Sequence, residues 1–177
     1  MEYDSRDFLW NATFKVLYYS YYEELLAENL IKKWGILDCI SKVLIAFTST
    51  GSAIAGWALW QSEGFKSLWF IIAGLAAIFS ILHSTLGVSN KLKEFGDRRR
   101  YFSSLRIELE TFRHFMEIFP NFDLNKYSDK YENYRKLYSA GISNSPDDFL
   151  RTKKLETLVQ DQLNYKIKEY IDDNENI

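Results

Sequence analysis

Hydrophobic and polar positions divide the chain into an apolar centre and two polar flanks. Val43–Trp60 contains 18 residues without a charge, and Ser67–Asn90 contains 24 residues whose only ionisable side chain is His83. At 1.5 Å of rise per residue, helices of these lengths cross about 30 Å of hydrocarbon. Only residues 61–66 separate the two segments. We therefore predict an antiparallel hairpin of two membrane-spanning helices, with a buried hairpin in a soluble bundle as the alternative.

Both polar flanks have the period of amphipathic helices. Residues 4–33 repeat apolar side chains near every 3.6 positions, which predicts one helix that ends at Trp34 and Gly35. Residues 91–119 predict a second long helix, continuing straight from the second span. Its continuous apolar face comprises Phe95, Phe102, Leu105, Leu109, Phe112, Phe115 and Phe119.

Two shorter helices are expected in the C-terminal region. One covers residues 126–140, and a loop at 141–144 follows it. The other opens at Ser145 and Pro146, a cap followed by a proline at the first helical position, and runs to about Ile171. The predicted fold class is all-α, a two-helix transmembrane hairpin with long cytosolic helices that form a helical bundle. The expected domains are an N-terminal amphipathic helix at 1–35, the hairpin at 36–90 and a cytosolic helical region at 91–177.

Basic residues flank the two predicted spans and are scarce in the loop between them. They are Lys32, Lys33 and Lys42 before the first span, Lys91, Lys93, Arg98, Arg99 and Arg100 after the second, and Lys66 alone in the loop. Cytoplasmic flanks carry such an excess, so both termini are expected in the cytoplasm. The N-terminus has no apolar segment typical of a signal peptide.

Small and hydroxyl side chains form stripes along both predicted spans. Small residues four positions apart allow close helix packing, which is one explanation of the stripes. The other is a water-filled pore, with Thr48, Ser52, Ser80 and Ser84 as lining residues and Phe47 and Phe79 as a hydrophobic gate. Two helices cannot enclose water, so a pore requires a homo-oligomer, which we expect to contain four or more subunits.

Arginines and tyrosines after the second span suggest an anionic ligand. The candidate nucleotide-binding residues are Arg98, Arg99, Arg100, Arg106, Arg113, Tyr131, Tyr134 and Arg135. Aromatic rings beside basic groups bind bases and phosphates, so the expected ligand is a nucleotide or a short single-stranded oligonucleotide. Solvated salt bridges with Glu110 and Glu117, packing of the tyrosines and contact with anionic lipid headgroups are the alternatives.

Catalytic motifs are absent from the sequence. It contains no Gly-rich phosphate loop, no HExxH and no Cys/His ligand set, so neither an enzyme nor a cofactor is expected. Cys39 is the single cysteine, which excludes an intramolecular disulfide.

The order of these segments resembles a known family. An amphipathic helix, two spans with a minimal loop and a basic stretch that enters a further helix, RRRYFSSLRIELE at Arg98–Glu110, are similar to the SLATT group of two-transmembrane effectors in bacterial nucleotide-regulated conflict systems. The resemblance implies an effector in the bacterial inner membrane whose pore depolarises and arrests the infected cell. It also implies a nucleotidyltransferase partner that makes the signal, as in the Hailong-type arrangement, in which a DNA oligomer holds the effector closed.

Two other function classes remain open at this point. A membrane anchor or scaffold for a cytosolic protein would have the same segments and would not conduct ions. A lipid-handling protein or small transporter would need paired charges inside the membrane, which the two apolar segments lack.

Overall fold

The structure, a computed structural model, describes residues 5–59, 63–119, 121–143 and 147–175. Side chains at 47–59, 63, 65, 66 and 171–175 lie outside this description. The helices are α1 (Ser5–Leu59), α2 (Glu63–Thr85), α3 (Val88–Ile118), α4 (Leu124–Ser143) and α5 (Lys153–Glu175). All regular secondary structure in the described ranges is helical, which confirms the all-α fold class.

Helix α1 is continuous where the sequence predicts a break. It runs for 55 residues from Ser5 to Leu59 and passes through Trp34 and Gly35 without interruption. An interior glycine costs a helix only about 1 kcal/mol relative to alanine, whereas a proline, absent here, costs about 3 kcal/mol. Trp34 is buried within this helix and does not mark a helix end. The predicted end of the N-terminal helix is therefore wrong.

Helix α2 ends at a turn that the sequence pattern does not predict. Gly87 has a φ of 58°, the left-handed conformation that ends helices. The amide of Leu86 donates to the carbonyl of Leu82 at 2.8 Å, and the amide of Lys91 then donates to the carbonyl of Gly87 at 3.0 Å to begin α3. The expectation that α3 continues straight from the second span is therefore wrong, and residues 88–90 belong to α3.

Replacement of Gly87 by alanine is expected to destabilise the protein by about 1–2 kcal/mol, because a Cβ is strained at positive φ. The nearest atoms to such a Cβ are those of Asn90 at 3.7 and 3.8 Å, so the cost comes from the backbone and not from a clash. Gly96 in α3 has no atom within 4 Å of an added Cβ, so Gly96→Ala is the control and should stabilise the helix. Thermal unfolding followed by circular dichroism in detergent measures both; an unchanged midpoint for Gly87→Ala would contradict the strain.

The chain divides into two compact units. The first unit comprises the chain up to Leu30 together with the chain from Phe95 onwards, and the second unit comprises Ile31–Glu94. The first unit therefore contains the N-terminal part of α1, most of α3, and α4 and α5. The second contains the remainder of α1, all of α2 and the start of α3.

A seven-residue repeat on α3 forms the core of the first unit. Phe95, Phe102, Leu109 and Met116 are separated by seven residues and are at most 3% exposed. A second row of α3 comprises Leu105 and Phe112, and the facing core residues of α1 are Leu9, Val16 and Leu17. Five of the seven predicted core residues of α3 are confirmed. Phe115 and Phe119 are 48% and 57% exposed, so their assignment to this face is wrong.

Helix α4 lies on the surface of the first unit and approaches α3 closely at one end. None of its residues is buried, and it extends through Gly141 to Ser143, where a loop was predicted. A Cβ at Gly141 would lie 2.7 Å from Cε1 of Tyr101 and 2.8 Å from Cζ of Phe102. Glycine therefore permits the contact between these helices.

Helix α5 begins later than the sequence suggests. The side chain of Asp148 accepts a hydrogen bond from the amide of Leu150 at 2.9 Å, forming a turn in place of a helical start. Thr152 instead caps the helix, since its Oγ1 accepts from the amide of Leu155 at 3.3 Å. Ser145 and Pro146 lie outside the described residues.

Candidate functional site

Helix α2 presents its apolar side chains to the surroundings. Ser67–Thr85 has 19 residues and a mean hydropathy of 1.9, and only 6% of its most apolar window is buried. It is the one described helix with the length and composition to cross a membrane. Its exposed apolar residues are Leu68, Phe70, Ile71, Leu75, Ile78, Ile81 and Leu82. The core helix of a soluble protein would bury most of such a surface.

The predicted pore residues of α2 occupy two different sides. Ser80 and Ser84 are four residues apart and exposed, whereas Phe79 is half-buried. Phe79 lies four residues before His83, so these two side chains share the less exposed side of α2. The side chains of the other predicted lining and gate residues, Thr48, Ser52 and Phe47, lie outside the described residues.

His83 forms a polar contact between α1 and α2. Its Nε2 lies 3.0 Å from Oδ1 of Asp38, and the side chains are 23% and 15% exposed. Lys42, one turn further along α1, donates to Oδ2 of the same carboxylate at 2.7 Å. The bond from Lys42, followed by the contact with His83, lowers the pKa of Asp38, so this carboxylate remains charged at neutral pH. His83 therefore has a partner within its own chain.

Arg98 makes three contacts within the first unit. Its Nη2 donates to Glu23 of α1 at 2.8 Å, and its Nη1 donates to the carbonyl of Gly141 at 3.0 Å. The guanidinium carbon lies 5.0 Å from the centre of the Phe102 ring. The side chains of Arg98 and Glu23 are 9% and 10% exposed. Arg98 thus joins α3 to both α1 and the end of α4.

Arg106 is held by two carboxylates. Its Nε donates to Glu24 at 2.6 Å, and its Nη1 donates to Glu110 at 2.8 Å. Burial alone would lower the pKa of Arg106, but the hydrogen bonds with Glu24 and Glu110 raise it above its ordinary value. Its positive charge is therefore already compensated.

Arg113 is buried against aromatic rings. Its guanidinium carbon lies 3.6 Å from the centre of the Trp10 ring, and its Nη1 donates to the carbonyl of Trp10 at 2.7 Å. Burial lowers the pKa of Arg113. Of the other predicted arginines, Arg99 is exposed and Arg100 forms an exposed ion pair with Asp97. The predicted arginines are therefore divided between the interior of the first unit and its surface.

Helix α4 packs largely through a stripe of tyrosines, which are Tyr127, Tyr131, Tyr134 and Tyr138. Tyr127 stacks on Phe112 with ring centres 5.1 Å apart, and Tyr134 lies 5.4 Å from the same ring. Tyr131 is half-buried and contacts the edge of this core. Packing, the alternative explanation for the stripe, thus accounts for Tyr127 and Tyr134.

A groove between α1 and α4 contains the remaining predicted residues, Tyr131 and Arg135. Its main cavity has a volume of about 430 Å³. The lining residues are Phe8, Asn11, Ala12, Lys15, Val16 and Tyr19 of α1, and Tyr131, Arg135 and Tyr138 of α4. We call this cavity the aromatic groove. It lies entirely within the first unit.

The aromatic groove has aromatic walls and two cations. The rings of Tyr19 and Tyr138 stack with centres 6.3 Å apart. Burial, reinforced by the charge of Glu23, raises the pKa of Tyr138 to about 12, so its hydroxyl keeps its proton at neutral pH. Lys15 and Arg135 are exposed, and neither forms an ion pair with a described residue. Such a site offers stacking surfaces and positive charge together.

The α1 side of this groove is absent from the predicted nucleotide-binding residues. Phe8, Ala12, Lys15 and Tyr19 are separated by four, three and four residues, so they share one face of α1. Phe8 and Tyr19 remain 60% and 52% exposed in the folded unit. The spacing is visible in the sequence, but the pairing of this face with α4 requires the tertiary structure.

No protein-family model, curated protein or solved structure matches this chain. Among the described residues, no group of three or more His, Cys, Asp or Glu side chains is placed to hold a metal ion.

Proposed function

We propose that this protein is a ligand-controlled membrane effector of the SLATT type, which forms an ion-conducting pore as a homo-oligomer. The observation that carries the proposal is the exposed apolar surface of Ser67–Thr85, of which only 6% of the most apolar window is buried. Exposed in water, this surface would drive aggregation, whereas in hydrocarbon it is favourable. The apolar segment 43–60 supplies the other span of the proposed hairpin.

The hydroxyl groups of α2 support a pore rather than a simple anchor. Ser80 and Ser84 are exposed on a helix whose other exposed side chains are mostly apolar. Polar groups in a membrane helix preferentially face another helix or water. Since one hairpin cannot enclose water, this face is expected to meet other subunits around a central axis. From the excess of basic residues in the flanks we infer that both termini lie in the cytoplasm of a bacterial cell.

The expected physiological role follows from this arrangement. An open pore in the inner membrane would depolarise the cell and arrest it during phage infection. The ligand that controls the pore would come from a partner nucleotidyltransferase, and the cytosolic helices would bind it. A ligand changes pore opening only if it binds the open and closed arrangements with different affinity.

Purified protein reconstituted into liposomes is expected to pass ions, which an entrapped ion-sensitive dye reports. Ser84→Trp should reduce this ion flux at least tenfold by filling the pore. Leu75 is nine residues away, on the opposite side of α2, and is 46% exposed. Leu75→Trp is therefore the matched control and should conduct as the wild type does. The predicted gate gives a further comparison, because Phe79→Ala should leak more than the wild type. Equal ion flux in the Ser84→Trp and Leu75→Trp variants would remove Ser84 from the pore.

A non-conducting membrane scaffold is the second candidate. Ile107, Phe115 and Ile118 of α3 are 51%, 48% and 52% exposed, and a cytosolic partner protein would cover such residues. The scaffold predicts no ion flux into liposomes that contain correctly folded protein. The same reconstitution therefore separates the two candidates.

A further inference from the structure

We propose that the aromatic groove is the ligand site, and that it binds one nucleotide with the base against Tyr131 and the phosphate between Lys15 and Arg135. This inference rests on the proposed ligand control and gives it a location. The proposed site is not at the arginines of α3 but in a groove where α1 and α4 meet, a pairing of helices that the sequence does not indicate. The site joins two stretches of chain more than a hundred residues apart.

The size of the groove suits a nucleotide. Its main cavity of about 430 Å³ lies in the range of small-molecule sites, which is about 300–1,000 Å³. A neighbouring cavity of about 460 Å³ shares Phe8, Tyr131 and Arg135 with it. The neighbouring cavity adds the polar side chains of Ser5, Asn125, Ser128 and Glu132. The groove thus continues along both helices, from a cavity with two cations to one in which Arg135 lies with Glu132.

Charge determines which end of the ligand occupies which cavity. The main cavity contains Lys15 and Arg135 and no carboxylate. The neighbouring cavity contains the carboxylate of Glu132, whose nearest basic group is Lys136 at 4.0 Å. Arg135 lines both cavities, but only the main cavity adds Lys15, whereas Glu132 opposes Arg135 in the neighbouring one, so a phosphate is attracted more strongly to the main cavity. The phosphate is therefore expected in the main cavity, with the base over Tyr131 and its polar edge directed to the neighbouring cavity.

The cations of the groove differ from the buried arginines in one decisive respect. Arg98 and Arg106 already bind carboxylates, and Arg113 is 6% exposed and packed on Trp10. A ligand would have to displace those contacts before it gained any of its own. Lys15 and Arg135 are exposed, and they form no ion pair with a described residue. Binding there exchanges only water for phosphate, and Arg135 can donate two parallel hydrogen bonds to it.

Aromatic exposure supports the same site. Phe8 is 60% exposed although it lies between two cavities, and Tyr19 is 52% exposed beside Tyr138. Stacking of a base on one such ring contributes about 1–3 kcal/mol and tolerates different bases. The groove therefore offers exposed ring surface on which a base can stack.

The test is equilibrium binding to the full-length protein in detergent, measured by calorimetry. The probes are nucleoside monophosphates and dinucleotides carrying each common base, with adenosine, inorganic phosphate and a short-chain phosphatidylglycerol for comparison. At least one nucleotide should bind tenfold or more tightly than adenosine or phosphate alone, because stacking and charge act together. Equal or tighter binding of the lipid would overturn the proposal, since a headgroup needs no stacking. So would the absence of binding by every nucleotide.

Substitutions assign the binding to this groove. Lys15→Gln and Arg135→Gln should each weaken nucleotide binding about tenfold or more, and Tyr131→Leu should do so about tenfold. Tyr131→Phe keeps the ring and should bind as the wild type does. Lys168→Gln removes an exposed lysine of α5 outside the groove and is the charge control. Unchanged binding by both Lys15→Gln and Arg135→Gln, with circular dichroism confirming folded protein, would place the ligand elsewhere.

Binding and conductance can fail independently. Nucleotide binding that Arg135→Gln abolishes, with no ion flux under any condition, would keep the site and reject the pore. Ion flux without nucleotide binding would keep the pore and reject the site. A nucleotide that binds and changes ion flux in the wild type, but not in Arg135→Gln, is the result expected if both proposals are correct.

Discussion

Replacing Phe102 by alanine is expected to lower the free energy of unfolding by about 3–5 kcal/mol, because the substitution removes a large ring from a closely packed core. Phe102 is fully buried among Val16, Leu17 and Leu105. Its ring also lies 6.1 Å from that of Tyr138 on α4. Alanine would therefore leave a cavity where three helices meet. Surrounding side chains are unable to fill such a cavity without disturbing α1, α3 and α4 together.

The matched control for this prediction is Phe115→Ala. Phe115 is on the same helix and has the same side chain, but it is 48% exposed. Its loss should change stability by no more than about 0.5 kcal/mol. Denaturant unfolding in detergent, followed by circular dichroism, compares the two variants. A similar loss in both would mean that the seven-residue repeat does not form the core of the first unit.

The seven-residue repeat shows what periodicity can and cannot predict. The spacing of Phe95, Phe102 and Leu109 indicates a helix with one buried face, and that face is buried. Continuing the face through Phe115 fails, because the repeat reaches Met116 instead. Side-chain size favoured phenylalanine, but position on the helix determines burial, and methionine fills the core equally well. The pattern therefore predicted the helix and most of its core but misplaced its last turn.

Helix boundaries depended on interactions that composition does not reveal. Gly35 was the predicted helix end and Gly87 was not, yet of the two only Gly87 has positive φ. Gly35 stays helical within α1, and no atom lies within 4 Å of its Cβ position. The two glycines differ because the chain turns at Gly87 and continues as a helix at Gly35. That difference depends on the packing of the surrounding helices, which a single sequence does not reveal. Similarly, Asp148 uses its carboxylate in a turn, and α5 starts only after Thr152.

The candidate site was predicted in part for the same reason. Tyr131 and Arg135 follow from the spacing of α4, and both line the aromatic groove. Lys15 and Tyr19 complete it from α1, more than a hundred residues earlier. The arginines of α3 were predicted to bind the ligand because of their regular spacing. Two of them, Arg98 and Arg106, instead form ion pairs with the adjacent Glu23 and Glu24 of α1. Such long-range charge pairing could not be deduced without the fold.

Replacing Arg98 by glutamine is expected to destabilise the first unit by about 3 kcal/mol, because it leaves the carboxylate of Glu23 buried without its partner. The ion pair has a distance of 2.8 Å, and its side chains are 9% and 10% exposed. Arg98 also donates to the carbonyl of Gly141, so the substitution removes a contact with the end of α4 as well. Arg99→Gln, at the exposed neighbouring position, is the control and should leave the stability within about 0.5 kcal/mol of the wild type.

A double variant distinguishes the loss of charge compensation from the loss of packing. Arg98→Met combined with Glu23→Leu removes both charges and keeps apolar volume, so it should lose less than half as much stability as Arg98→Gln. If Arg98 were instead a ligand-binding residue held ready for phosphate, Arg98→Gln would leave stability unchanged in the absence of ligand and weaken nucleotide binding directly. Two measurements on Arg98→Gln and Arg99→Gln therefore decide between the two roles of Arg98. The first is unfolding in the absence of ligand, which tests the structural role. The second is nucleotide binding, which tests the control site that the sequence alone suggests.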